Sequence, residues 1–450
     1  MEYSDNKELC PSSNEDRTLS VGDLIILCAG MVINVVGLVV PTQIYLGGGL
    51  TTFQVILSAL FGFGMVSVLI TLTGDIGTKY GVPFTVYIRS CLGKKGALIG
   101  SLFRAVVCMT WTGVIMFFGT SAINTLFEVW LGISQFWLIF IVFASAQLYN
   151  ASRGVKSMSR FGWLAIPALG VMLLCMVFWL LKSHGVSLPE VFTKPAIVTD
   201  HSFTFLGAIA IFAGGWLSEA LNGSDLSRKL KLPNSDTPDT LTWYQRNRAM
   251  IIAFSTGFIV TGIIISGAGL ISGALTGVYD PVDVIKAAFA ENPTILAISC
   301  LILVAAQWST NTVANIFPAT LILLNAAPKL SFKQATWIVG VVSCCAMPWM
   351  LVNHLAIVQV FFSALLGPLL AIMIVHYYLI RGCELNVDKI YSEEYKDWSK
   401  EGITSLFAGV VVGAFFGDQA FFIAFPVAGL LYYFMMKPKA ASYRKANTAH

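Results

Sequence analysis

"AAQWSTNTVANI", residues 305–316, interrupts the most apolar part of this chain. Before it runs "PTILAISCLILV" (293–304), and after it "FPATLILLNAA" (317–327). A helix crosses a bilayer with about 20 apolar residues, and this stretch is longer than that. Yet its centre carries Gln307, Ser309, Thr310, Asn311, Thr312 and Asn315. Polar side chains at that depth are costly, and they mark helix–helix contacts or a binding site. As a helix, the segment puts Asn311 and Asn315 on one face with Trp308, and Ser309 and Thr310 on neighbouring faces. Two adjacent hydroxyls offer a small hard cation two oxygens, and hard cations take all-oxygen shells. The same hydroxyls can instead bond carbonyls of their own helix, and the asparagines can simply join helices.

The rest of the chain gives this segment its setting. Of 450 residues, 56% are hydrophobic and only 12% charged, with a mean hydropathy of +0.76. A soluble domain has about a quarter of its residues charged. Apolar runs recur at 22–42, 53–73, 97–125, 133–150, 159–182, 203–222, 249–275, 294–326, 334–352, 355–380, 403–417 and 420–437, and are numbered here as spans 1 to 12. Runs such as "LIILCAGMVINVVGLVV" (24–40) lack the apolar–polar alternation of a transmembrane barrel. Open-edged strands cannot live in lipid, so the expected fold is an all-α integral membrane protein of about twelve spans. The separation of spans 11 and 12 is the least marked.

Lys and Arg orient it. With the N-terminus in the cytoplasm, only Lys182, Lys194 and Lys286 of the 28 basic residues fall outside. The others, among them Lys94, Lys95, Arg153, Lys156, Arg160, Arg228, Lys229, Arg246 and Arg248, fall inside or at its edge. That bias predicts a multi-pass protein of the inner (cytoplasmic) cell membrane, in contact with lipid and with both termini cytoplasmic. The net charge of +4 is then a topology signal, and no clustered basic patch predicts a nucleic-acid partner. The polar, weakly acidic residues 1–20 lack the layout of a cleaved signal and read as a cytoplasmic tail. The expected organisation continues with a core over 21–380, a cytoplasmic loop at 381–402, a terminal helix pair at 403–437 and a cytoplasmic tail at 438–450. The nine scattered cysteines, with no CxxC, read as reduced packing residues.

Two interrupted connectors suggest internal symmetry. "GDIGTKYGVPFTVYIRSCLGKKG" (74–96) is too polar to span and reads as an inner amphipathic connector broken by Pro83 and glycines. "YDPVDVIKAAFAENP" (279–293) holds the equivalent place on the outside, between spans 7 and 8. Equivalent pieces on opposite faces are the layout of two inverted five-helix repeats, spans 1–5 and 6–10. Spans 1 and 6, which begin the repeats, have weak centres. Span 1 has Gly30, Asn34 and Gly37 before Pro41, and span 6 has "AGGWLSEALNGSD" (213–225). Glycine costs about 1 kcal/mol of helix propensity, so paired glycines permit an unwound turn whose free carbonyls and amides can bind an ion or a polar ligand. Gly214 and Gly215 can equally be close-packing residues.

Other residues stand out singly. Glu219 is an acid within span 6, a functional candidate by default, or else a residue near enough to the inner end to meet water or a base such as Arg228. Trp111 and Trp216 lie mid-span, away from the interfaces tryptophan prefers, and two indoles can sandwich a flat ring. Arg104, near the start of span 3, is expected to snorkel to the inner interface. His354 and His376 are too isolated for a metal site.

At these residues the chain resembles the nucleobase:cation symporter-1 family of purine, cytosine, allantoin and hydantoin permeases. Its motifs are most similar to those of the family's bacterial hydantoin transporter. "QWSTNTVAN" looks like the family's span-8 motif W-S-T-N-x-A-A-N, "FAGGW" its span-6 motif, and "WTGVIMFFG" its span-3 segment. "GVPFTVYIRSCLGKKG", "AMPW" and "LGPLLAIMI" match in place and order. The resemblance covers roughly residues 20–400 and implies a five-plus-five inverted-repeat core with broken helices 1 and 6 and two extra helices. It implies a secondary symporter that carries a small flat heterocycle inward with Na+, or in some members H+, and no enzyme. By that resemblance, the carbonyls of Gly30, Ile33 and Ala306 and the hydroxyls of Ser309 and Thr310 hold Na+. Trp111 and Trp216 stack on the ring, Asn315 bonds its amide edge, and Gly215 offers backbone. This chain departs from the hydantoin transporter at Ile115 and Asn34, where that protein has glutamines, and at Glu219, where it has an apolar residue. The sodium site carries over, and the identity of the heterocycle does not.

A membrane enzyme would need a nucleophile–base set, a metal cluster or paired acids at midplane, and the sequence offers one acid. A non-transporting sensor on the same fold is expected to carry a signalling domain. The expectation is a symporter, monomeric, with a heterocyclic substrate and a coupling cation as its partners.

Overall fold

The computed structural model describes residues 9–153, 162–198, 202–232, 240–289, 291–392 and 395–447. Lys156 and Arg160 lie outside them. The apolar runs are helices. Span 1 is a pair, Val21–Val32 and Val36–Gly47, bent by 49°. Span 2 is Thr52–Tyr80, span 3 Lys94–Leu131, span 4 Phe136–Ser152 and span 5 Gly162–His184. Span 6 is again broken, into Phe205–Gly214 and Leu217–Leu221. Spans 7 and 8 run over Trp243–Thr276 and Pro293–Ala326, and each contains a π-helical turn, Phe254–Ile259 and Thr312–Ile316. Span 9 is Phe332–Cys345, and after a break at Met347 the short helix Pro348–Leu351 leads into span 10, Leu355–Ile380. Spans 11 and 12, Lys400–Gly413 and Ala420–Asn447, separate at Gly417, whose φ of 53° no helix allows. Span 12 thus continues through the region expected as a tail. Among the described residues, seven helices are long and apolar enough to cross a membrane, and the bent span 1 makes an eighth.

Local chemistry sets the helix ends. Ser20 and Asp23 form a capping box, as do Thr51 with Gln54, Thr242 with Gln245 and Ser331 with Gln334. Span 2 stops at Gly81 (φ 67°), a left-handed C-cap that Cβ-bearing residues adopt poorly.

The packing carries the symmetry that the two connectors suggest. Span 1 packs on span 7 just as span 6 packs on span 2, and span 3 packs on span 8. Glycines close these contacts: a Cβ at Gly269 of span 7 would overlap the Leu38 carbonyl of span 1, and one at Gly62 of span 2 would meet Phe212 of span 6. Spans 11 and 12 pack on each other and on span 10. The outer surface is apolar, with Leu138, Ile141, Val171, Leu174 and Phe178 exposed on spans 4 and 5, while Gln147, Asn311 and Gln307 are buried. That is the arrangement a bilayer favours over water.

Contacts sort the loops onto two faces. On the face of the N-terminus, Lys79 pairs with Glu384 and Lys95 with Asp397. On the other, Lys286 pairs with Glu128, Asp418 accepts from Thr204, and Gln43 of span 1 bonds Val352 and Ala356 ahead of span 10. Beneath the first face, the fully buried Asp75 of span 2 accepts from Arg246 Nε (2.8 Å) and Nη2 (3.1 Å), from Asn247 Nδ2 (2.6 Å) and from the Tyr377 hydroxyl (2.8 Å). Spans 2, 7 and 10 are joined there.

Three expectations change. Gly74–Tyr80 extend span 2, and Phe84–Leu92 is a helix buried on nearly all sides, not a surface amphipath, because residues 387–391 and span 11 cover it. Residues 9–20, within the expected N-terminal tail, pack against the fold. Leu19 bridges Leu230, Arg17 donates to the Thr78 carbonyl, Ser12 N–H to that of Gly81, and Tyr391 to that of Leu9. Arg104 does not reach the interface. It is 2% exposed, and its Nε donates to the Ser218 carbonyl, left free where the short helix Leu217–Leu221 ends and the Asn222 N–H turns to Glu219 O.

Candidate functional site

Asn34 breaks span 1. Its backbone N–H turns to the Val32 carbonyl (2.8 Å), its Nδ2 donates to Met31 O (3.0 Å), and its Oδ1 accepts the Gly37 N–H (3.1 Å). The carbonyls of Gly30 and Ile33 therefore lose the helical donors they would otherwise have, as at any helix C-terminus. In span 6 the helix stops at Gly214, Trp216 adopts φ −120° and ψ 2°, and its N–H reaches back to Ala213 O at 2.8 Å. The glycine pair serves both of the roles weighed for it. It ends the helix, and it admits span 10: a Cβ at Gly214 would overlap the Gln359 carbonyl oxygen, and one at Gly215 would lie 2.6 Å from Gln359 Nε2.

The polar run of span 8 divides in two. Asn311 Nδ2 donates to Thr112 O (3.2 Å) and Gln147 Oε1 (3.1 Å), Gln147 Nε2 to Trp308 O (3.1 Å), and Thr312 to Trp308 O (2.6 Å). These residues join spans 3, 4 and 8. Asn311 Oδ1 in turn accepts from Asn315 Nδ2 at 3.2 Å, which holds the second amide in place. Ser309 and Thr310 behave differently. Thr112, Thr120, Thr320, Thr336 and Ser343 each donate to the carbonyl four residues back, whereas the hydroxyls of Ser309 and Thr310, though buried, bond nothing in the protein. The π-turn at Thr312–Ile316 directly follows them, a feature common at functional sites.

These elements enclose one cavity at the centre of the fold, with an empty volume of about 630 Å³ including open solvent. Asn34, Trp111, Ile115, Gly215, Trp216, Glu219 and Asn315 all line it, and so does Thr310. The indoles are braced edge-on by phenylalanines, Trp111 by Phe362 (5.5 Å between centroids) and Trp216 by Phe258 (5.2 Å), and Trp111 Nε1 has no partner. Of the residues expected around a cation, Gly30 and Ile33 lie at the span 1 break and Ala306, Ser309 and Thr310 on span 8, with Met31, Asn34 and Thr310 on the shared wall. Among the described residues no three His, Cys, Asp or Glu side chains converge on a metal site, and Glu219 is the one carboxyl in the cavity wall.

Glu219 is 7% exposed and lies in the short helix after Trp216. Ser218 Oγ is 3.4 Å from its Oε1. The cation that acts on it is Arg104, bound to the adjacent Ser218 carbonyl with its own Nη2 unpaired, while Arg228 reaches Cys10 O instead. The sequence reading missed Gln359, Ser218 and Ser266 in the cavity wall. For Gln359 the signal was there: one amide within the apolar "VQVFFSALL" (358–366).

The geometry agrees with what similar proteins are. The family model described as "Permease for cytosine/purines, uracil, thiamine, allantoin" matches residues 11–436. The allantoin permease of Bacillus subtilis (strain 168) is 29% identical over 91% of this chain and 86% of its own length. The hydantoin permease of Microbacterium maritypicum is 25% identical over 95% and 87%, and the purine-uracil permease NCS1 of Arabidopsis thaliana 28% identical over 96% and 77%. Among solved structures, the inward-facing conformation of Mhp1 superposes with a TM-score of 0.89 at 23% identity, over 99% of this chain and 97% of that one. Mhp1 closed on bromovinylhydantoin gives 0.87 at 23% identity, over 98% of both. The chain is a multi-pass membrane permease, and it belongs to the nucleobase:cation symporter-1 family, the family of permeases for cytosine, purines, uracil, thiamine and allantoin.

Proposed function

We propose that this permease is a Na+-coupled symporter that brings a small flat heterocycle into the cell by alternating access. The observation that carries the cation is the adjacent pair of buried residues Ser309 and Thr310, whose hydroxyls bond nothing in the protein, whereas Thr312 and Thr320 of the same span donate to carbonyls four residues back. Gly30 and Ile33, at the break in span 1, supply carbonyls without helical donors, and Ala306 lies one turn before Thr310. The indoles of Trp111 and Trp216 take the faces of the ring, and Asn315, Gly215, Asn34 and Glu219 meet its rim, with Ile115 as an apolar wall. The similar proteins point to allantoin, hydantoin, uracil or a purine as the class of cargo. The lysine and arginine bias supports a cytoplasmic N-terminal face in an inner membrane, and the proposed state there is a monomer.

Purified protein in liposomes should accumulate at least one of labelled allantoin, hydantoin, uracil, cytosine, adenine or hydroxymethylpyrimidine when Na+ is higher outside. Thr310→Ala should raise the Na+ concentration needed for half-maximal substrate binding, with the protein folded. Unchanged Na+ dependence in that variant would remove the cation assignment. H+ coupling is the second reading, favoured by a buried carboxyl, Glu219, in the cavity wall. It predicts accumulation driven by a pH gradient without Na+.

A further inference from the structure

We propose that Gln359 of span 10 is a substrate ligand that selects for a donor and an acceptor side by side on the rim of the ring. The inference rests on the transport reading above for the cargo class, and on the following geometry for the residue.

Span 10 is almost wholly apolar from Leu355 to Ile374, with Gln359 and Ser363 as its polar side chains. Ser363 donates to its own helix at Val360 O (2.7 Å). Gln359 bonds nothing. It is 5% exposed, its Oε1 is shut off from solvent without a partner, and its Nε2 donates to no protein group. A buried amide normally finds partners, because leaving one unpaired costs its lost hydration. Gln147, Asn311 and Asn124 all do so in this fold.

What separates Gln359 from the other amides of the cavity is its freedom. Three amides line the wall, from Asn34, Asn315 and Gln359. Asn34 is engaged at both ends by the span 1 break, and Asn315 gives an N–H to Asn311. Gln359 has both ends unspent, and its shielded Oε1 reaches the cavity on a rotation of the side chain. Gln307 is also unpaired, but it does not line the cavity.

The fold has also cleared space for it. The Gly215 Cα, where a Cβ would lie 2.6 Å from Gln359 Nε2, lets the amide sit against the broken backbone of span 6. The next residue is Trp216, and Phe362, one turn along span 10 from Gln359, braces Trp111. The amide is therefore set between the two indole supports. A ring that gives its faces to indoles has only its rim left for hydrogen bonds. A primary amide presents an N–H and a C=O in one plane, so it matches a rim with C=O beside N–H, or a ring nitrogen beside an amine.

The test is binding to purified protein, read by tryptophan fluorescence or calorimetry. Allantoin, hydantoin, uracil, cytosine and adenine are each compared with a counterpart methylated at ring or exocyclic nitrogen. Gln359→Leu keeps the volume and removes both hydrogen bonds, and should weaken the best N–H-bearing ligand by about 10- to 100-fold. Its N-methyl counterpart, already unable to donate there, should change by less than about 3-fold. Gly215→Ala leaves Gln359 in the chain but crowds its Nε2, and should reproduce the same selective loss. Equal losses for the N–H and N-methyl ligands, or affinities in Gln359→Leu within about 2-fold of wild type, overturn the proposal. Wild-type protein that binds a ring but never accumulates it in liposomes overturns the transport reading and leaves the Gln359 comparison standing. Wild-type protein that binds none of the five overturns both.

Discussion

Replacing Asp75 with Asn strands a charge. The carboxylate takes four hydrogen bonds, two of them from Arg246, and neither side chain is more than slightly exposed. In the variant, one oxygen becomes an NH2 that faces donors, and the guanidinium loses its counter-charge. Removing one partner of a buried pair costs about 3–5 kcal/mol, and Arg246→Met should cost the same from the other side. Removing both charges at once, as Asp75→Leu with Arg246→Met, strands neither. It forfeits the Asp75 bonds from Tyr377 and Asn247 and the Arg246 bond to the Leu241 carbonyl, which at about 1 kcal/mol each total about 3 kcal/mol. The double variant should thus cost no more than either single one, and far less than the two added together. Equilibrium unfolding in mixed detergent micelles measures all four proteins. A double variant as costly as the two single ones added together, or an Asp75→Asn variant within about 1 kcal/mol of wild type, would refute this account of the lock between spans 2, 7 and 10.

Trp111→Ala or Trp216→Ala should raise the substrate Kd by about 5- to 150-fold if each indole stacks on the ring as aromatics stack on bases, and substrate should quench tryptophan emission in the wild type. A double variant that binds as well as wild type would dismiss the clamp. Glu219→Gln keeps shape but cannot titrate. Exchange without uphill accumulation in that variant assigns Glu219 to proton coupling, whereas a loss confined to amine-bearing rings assigns it to recognition. Unchanged pH and substrate profiles would leave it neither.

Much of the site could be read from residue types alone, because membrane depth makes polarity conspicuous. Asn34, Trp111, Gly215, Trp216, Glu219 and Asn315 stood out against hydrocarbon, and the fold gathers them. The division of labour within 305–316 could not be read, because it depends on neighbours. Asn311 is spent on Thr112 and Gln147, from two other spans, and the π-turn after it shifts the helical phase that a regular period assumes. Arg104 misled for the same reason. Snorkelling is the default for an arginine near a helix end, but a carbonyl left free at the end of the short helix in span 6 offered it a closer partner. The connector at 74–96 read as amphipathic because it is too polar to span, and its helix at 84–92 is covered by residues far along the chain.

The strap formed by residues 9–20 has a consequence for biosynthesis. Its partners are Leu230 and Tyr391, and the bond to Tyr391 spans 382 residues. At about 5–20 residues per second, a ribosome takes roughly 20–80 seconds to cover that distance. The strap therefore gains the last of its partners long after it is made. Its bonds to Thr78 and Gly81 can form once span 2 exists and its bridge to Leu230 after span 6, whereas the bond from Tyr391 forms only after span 10 and the loop beyond it exist. Docking of this strap is a natural late checkpoint of assembly, one that a nascent chain halted before Tyr391 cannot pass.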